Sequence, residues 1–218
     1  MLMARQKEDQ LSLKGTILGV ILAGGKSTRM GADKAFVDLG GRALIAHVVE
    51  RLRPQVDALA INANGDPLRF APYDLPIIAD TASERDAGPL AGLVAALSYA
   101  QMQRQTLVAT APCDAPFLPR DLVARLREAM AAGDAPVACA ETQRGVEPLF
   151  ALWRSDLAPL LRDHVAKGGR SPRDFMASTG AAYARFIAQA GGNPFANLNS
   201  REDLAKAEAG IALRRRNL

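Results

Sequence analysis

Hydrophobic positions along this chain switch repeatedly between two periods. Ile17, Leu18, Val20, Ile21 and Leu22 form a near-continuous apolar run, the pattern of a strand covered on both faces. Leu44, Ile45, Val48, Val49 and Leu52 then recur at helical spacing over 43–52, and Pro54 ends that helix. Phe36 to Gly41, between them, reads as a short extended piece closing on a glycine turn. The alternation continues with a strand over 56–62, a short strand over 75–80 and a helix from Pro89 to about residue 103. A strand over 106–111 and a helix over 119–132 follow, the helix with Leu122, Val123, Leu126 and Met130 on its inner face. Strands over 135–140 and 144–153, a helix over 156–166 and a short helix from Pro172 complete the pattern. Ser200 opens a capping box with Asp203. Six candidate strands alternating with helices predict an α/β fold: one doubly wound, mostly parallel sheet in a single domain over 16–210. Residues 1–15 are expected to be a disordered segment, and 211–218 a basic tail carrying Arg214, Arg215 and Arg216.

Polar residues collect where those strands end, which in open α/β sheets is where ligands bind. The first strand runs into Gly24 and Gly25, followed by Lys26, Arg29 and Lys34. Glycines there let the backbone turn tightly and present N–H groups to phosphate oxygens, with the cations adding mobile positive charge. Neither the dinucleotide fingerprint nor the P-loop spacing is present. The second strand ends in Asn62-Ala63-Asn64-Gly65, which turn chemistry alone could also explain. The fourth delivers Asp114 between Pro112 and Pro116, where an unpaired buried carboxylate would be expensive. A divalent cation resolves that, since Mg²⁺ takes carboxylate oxygen, keeps waters and completes its shell with substrate phosphates.

The stretch Leu22 to Gly31 resembles the signature loop of nucleotidyltransferases, L-A-[AG]-G-x-[SG]-x-R-M-G. Its Ala-Gly-Gly form, followed by Asp33-Lys34, is most similar to the molybdenum cofactor guanylyltransferases. The likeness continues in order to about Leu204, through Gly88-Pro89-Leu90-Ala91-Gly92, Cys113-Asp114-Ala115-Pro116, the basic Gly168-Gly169-Arg170 loop and Asn197-Leu198-Asn199-Ser200. It implies transfer of GMP from GTP to Mo-molybdopterin, with release of pyrophosphate and with Mg²⁺ as cofactor. On that resemblance Leu22, Ala23, Gly24, Gly25, Lys34, Asn62, Asp80, Gly88, Gly92 and Asp114 belong to the nucleotide site. Arg29, Lys34 and Asp114 carry catalysis, and Asp114 holds the metal. Arg170, Arg173, Asn197 and Asn199 meet the acceptor. Many relatives have Gln or His before Pro148, whereas this chain has Glu147, whose role stays unassigned. Alternatives remain open: a cytidylyltransferase of the same cofactor, which usually reads Ala-Ala-Gly in the loop, or the same chemistry on another small phosphorylated acceptor, and a non-catalytic GTP-binding module delivering the pterin to molybdoenzymes or their chaperones.

Composition adjusts this picture little. The chain has 218 residues, 49% of them hydrophobic, enough for one substantial core. No apolar run reaches the ~20 residues of a membrane span, and the first residues lack a signal-like apolar core, so a cytoplasmic protein is expected. A net charge of +4 suits anionic substrates, but no basic and aromatic stripe points to nucleic acid. Cys113 and Cys139 are too few for a disulfide framework or zinc site and are expected to be buried. His47 and His164 lack metal partners at ligand spacing; His47 reads as a surface or boundary residue, His164 as a surface residue and Trp153 as core.

Overall fold

The computed structural model describes residues 15–24, 33–81, 84, 87–187 and 192–216. Its strands are β1 (Ile17–Leu22), β2 (Ala58–Asn62), β3 (Ile77–Ile78), β4 (Leu107–Pro112), β5 (Val137–Thr142), β6 (Gly145–Arg154) and β7 (Ala182–Arg185). They form one sheet in the order β3-β2-β1-β4-β6-β5-β7. All neighbours are parallel except β6, which runs antiparallel to both β4 and β5. The mostly parallel α/β fold read from the pattern is therefore present.

Alternation along β1 assigns its side chains to two cores. Ile17 and Ile21 face one side, with Ile45, Val48 and Leu52 of α1 (Leu44–Leu52) and Leu122, Leu126 and Met130 of α3 (Leu122–Ala132). Leu18 and Val20 face the other, against α2 (Pro89–Met102), α4 (Ala158–Ala166) and α5 (Pro172–Thr179). Helices on both faces explain why β1 and β4 are buried nearly throughout rather than alternating with exposed positions. In this second core Trp153 is 0% exposed, and its indole N–H is satisfied by donating to Thr110 Oγ1 at 3.1 Å. A last helix, α6 (Arg201–Arg216), continues beyond residue 210. The Ser200–Asp203 capping box at its start is formed: Asp203 N donates to Ser200 Oγ and Ser200 N to Asp203 Oδ2. No helix among the described residues is long and apolar enough to cross a membrane.

Four local expectations are corrected. A seventh strand, β7, exists although Ala-Tyr-Ala-Arg is too short and mixed to announce itself; pairing with β5 makes it extended. The strand expected over 75–80 shortens to two residues, because only Ile77 and Ile78 pair with β2. The piece expected to be extended over 36–41 begins inside a 3-10 turn, Lys34–Phe36, and keeps only an isolated bridge between Asp38 and Ala43. His164 is half-buried, its ring 5.3 Å from Phe175 and its Nε2 buried, because the 168–170 loop folds back on it. His47 is a boundary residue as read, with Nε2 3.0 Å from Leu39 O.

Candidate active site

Three strands deliver the candidate residues to one edge. Leu22, at the end of β1, stands in register with Asn62 of β2 on one side and Pro112 of β4 on the other. The backbone continues this pairing: Ala23 N donates to Asn62 O at 2.8 Å, and Cys113 N to Leu22 O at 3.1 Å. The segment Leu22-Ala23-Gly24 thus lies between two polar clusters, one following β2 and one following β4.

The first cluster is built from amides around a carboxylate. Asn62 is only 2% exposed, and its Nδ2 donates to Ile78 O at 3.0 Å and to Asp80 Oδ1 at 2.8 Å. Asn64 grips the same residue twice, Nδ2 donating to Asp80 Oδ2 at 2.7 Å and Oδ1 accepting from Asp80 N at 3.0 Å. Each Asp80 oxygen keeps a lone pair for a further donor. Two glycines make the room. A Cβ on Gly92, in the first turns of α2, would fall 2.3 Å from Asn62 Oδ1, and one on Gly24 would touch Asn62, Asn64 and Asp80 at 3.4–3.7 Å. Gly88, just before α2, has φ +59°, a left-handed conformation that favours glycine.

The second cluster joins opposite charges. Lys34 opens the 3-10 turn that Asp33 caps through Ala35 N, at 3.2 Å. Its Nζ lies 3.3 Å from Asp114 Oδ2 and also donates to Asn199 Oδ1. Asp114 is 8% exposed, and its carbonyl accepts from Leu198 N at 2.9 Å, which docks Asn197-Leu198-Asn199 against the end of β4. Leu198 is buried while Asn197 and Asn199 are exposed on the same extended face. Cys113 is no nucleophile: burial, reinforced by the Asp114 charge, pushes its thiol up to about 12. Burial does the same to Cys139.

The residues suit a hard divalent cation in one respect, and the described ones form no preformed cage. Among the described residues no three His, Cys, Asp or Glu side chains gather as metal ligands. A single carboxylate beside amide oxygens is the donor set expected where substrate phosphates and waters complete an octahedral shell.

Residues 19–183 match the model of the MobA-like NTP transferase domain. The chain belongs to that family. It is 45% identical over 194 residues to the molybdenum cofactor guanylyltransferase of Cereibacter sphaeroides, covering 88% of this chain and 96% of that one. To the enzyme of the same name from Rhodopseudomonas palustris strain HaA2 it is 45% identical over 203 residues, covering 89% and 92%. Its fold is similar to that of molybdopterin-guanine dinucleotide biosynthesis protein A from Archaeoglobus fulgidus, with a TM-score of 0.71 at 21% identity over 90% of this chain and 99% of that one.

Within this MobA-like domain the predicted residues separate into groups. Leu22, Ala23, Gly24, Asn62, Asp80 and Gly92 assemble around the first cluster, and Lys34, Asp114 and Asn199 around the second. Gly25 and Arg29 lie outside the described residues. Arg173 donates to Val146 O at 2.7 Å, and Arg170 donates to Val165 O and Gly169 O at 3.1 and 2.7 Å. Both cations thus brace backbone carbonyls, and among the described residues no bond links them to the Lys34–Asp114 pair. Sequence reasoning left Asn64 open and missed Arg69. No motif or periodicity marks the Pro67–Tyr73 turn that carries it.

Proposed function

We propose that this chain transfers GMP from GTP to the terminal phosphate of Mo-molybdopterin, releasing pyrophosphate, with Mg²⁺ as the metal. One observation carries the reading: the Lys34–Asp114–Asn199 cluster and the Asp80 carboxylate held by Asn62 and Asn64 lie on opposite sides of the Ala23-Gly24 segment that leaves β1. That spacing matches a nucleotide laid across the strand ends, base toward Asp80 and phosphates toward Lys34. Guanine alone among the common bases offers two adjacent donors, its N1–H and N2–H, to the carboxylate of Asp80.

The reaction forms a bond from an acceptor phosphate oxygen to the α-phosphorus of GTP and breaks the bond from that phosphorus to the pyrophosphate oxygen. No enzyme side chain enters the covalent sequence, consistent with a Cys113 thiol held protonated. Catalysis then consists of orienting two anions and stabilising charge on the leaving group. Lys34 neutralises phosphate charge, and Gly24, lacking a Cβ, lets the backbone beyond β1 approach it closely. Asp114 would hold Mg²⁺, which when bound supplies electrostatic neutralisation of the phosphates. Arg170, Arg173, Asn197 and Asn199 form the acceptor side.

The test offers each of the four nucleoside triphosphates with Mo-molybdopterin and measures pyrophosphate. Release with GTP well above the other three is expected. Equal turnover with CTP would remove the guanylyl assignment, and no release with any nucleotide would remove the transferase assignment.

A further inference from the structure

Arg69 stands outside every motif of the chain, yet its guanidinium joins the two polar clusters. It sits in the Pro67–Tyr73 turn, its Cζ 4.9 Å from the ring centre of Phe70, which is itself only 1% exposed. Nη1 donates to Asp33 Oδ2, and Nη2 donates to Asn64 O at 2.5 Å. The other oxygen of Asp33 accepts from Ala35 N and so starts the turn that presents Lys34. The side chain of Asn64 meanwhile holds Asp80 on both sides. A continuous polar chain therefore runs from Asp80 through Asn64, Arg69 and Asp33 to the backbone N–H of Ala35, the residue after Lys34.

We propose that Arg69 is a positioning residue that sets the distance between the carboxylate facing the base and the ammonium facing the phosphates. A base seated on Asp80 then brings the α-phosphate into register with Lys34, and a base that seats badly does not. This rests on the guanylyl-transfer reading above. Guanidinium suits the task because its planar fork fixes two donors in one geometry. Lysine would keep the charge beside Asp33 but offers one ammonium on a flexible stem, so it cannot hold both partners rigidly. Misplacement of about 1 Å far from the reacting atoms can cost about 10²-fold in rate.

A purely structural Arg69 would only fasten its turn to the body of the protein, and R69K distinguishes the two roles. The measurements are pyrophosphate release with GTP and with CTP, GTP affinity by calorimetry, and thermal melting, on wild type, R69K, R69A and D33N/R69A. R69K is expected to melt like wild type and to bind GTP within about threefold. Its kcat should fall about 10- to 100-fold, and its preference for GTP over CTP should fall about tenfold. The double variant should be little worse than R69A, because the two residues act as a unit. Wild-type kcat and base preference in R69K would overturn the proposal. So would a D33N/R69A variant that loses far more activity than R69A. If R69A fails to fold, R69K still decides. If wild type prefers another nucleotide, the guanylyl reading falls, and the same kcat comparison made with that nucleotide still judges the role of Arg69.

Discussion

Around Asp80 the partners are neutral amides, each polar contact is internal, and the glycines at 24 and 92 remove the side chains that would crowd them. Around Asp114 the partner is a cation, and the amide of Asn199 joins from a segment far along the chain. The first cluster is a rigid acceptor whose shape is settled by packing, so it suits recognition of a base. The second is a set of charges whose balance shifts when a triphosphate arrives, so it suits stabilisation of a transition state. Variants in the two regions should therefore fail differently: loss of nucleotide affinity in one, loss of turnover in the other.

The largest effect is expected from Asp114→Asn. The substitution keeps shape and the contact with Leu198 N, which uses the backbone carbonyl. It removes the charge opposite Lys34 and the proposed ligand for Mg²⁺. Loss of one such stabiliser typically lowers rate by about 10²–10³-fold. Turnover measured against Mg²⁺ concentration should drop by that factor with a raised Mg²⁺ requirement, while melting shifts by a few degrees at most. A mutant with wild-type rate and Mg²⁺ dependence would place the metal elsewhere.

Gly92→Ala probes the other cluster and should separate affinity from stability. The new Cβ would lie 2.3 Å from Asn62 Oδ1, and Asn62 cannot yield without releasing Ile78 O or Asp80 Oδ1. Overpacking of this kind costs about 1–3 kcal/mol, while replacing a helical glycine by alanine returns about 1 kcal/mol. The melting temperature should therefore fall only modestly. GTP affinity, read by calorimetry, should weaken about tenfold because Asp80 loses its brace, a shift of roughly 1.4 kcal/mol. Unchanged affinity would mean that Asn62 does not position the base acceptor.

How much of this was legible in the sequence depended on range. The alternation of Leu18 and Val20 with Ile17 and Ile21 marks a strand covered on both sides, and the fold class follows from repeats of that local pattern. Asp114 was legible because a carboxylate at the tip of an apolar strand conflicts with packing. Strand β7 was not, since Ala182–Arg185 is extended only through its pairing with β5, a long-range contact that local propensity does not encode. Arg69 was invisible for the same reason. Its partners Asp33 and Asn64 lie 36 and 5 residues away, and only the folded chain brings all three together. Gly92 was read as allowing either close nucleotide approach or close packing; its neighbour in the structure is the side chain of Asn62.

The smallest expected effect lies in a third region, the basic loop after α4, and tests whether the acceptor side resembles either cluster. Arg170 braces Val165 O at the end of α4 and Gly169 O through Nη1, and Arg173 braces Val146 O through Nη2. Val146 stands at the start of β6, which runs antiparallel to β4, so this brace lies at the same edge of the sheet as Asp114. Each guanidinium carries five donors, and the bonds among the described residues use only one terminal nitrogen of each. The remaining donors suit the acceptor's phosphate. Replacing both arginines by alanine should raise the KM for Mo-molybdopterin about three- to tenfold, as expected for loss of a charge-assisted bond of about 1 kcal/mol or more. GTP affinity should stay within about twofold, because the residues proposed to meet base and phosphates, Asp80 and Lys34, lie outside this loop. A fall in melting temperature with both KM values unchanged would make these arginines fasteners of the loop and move the acceptor site away from them.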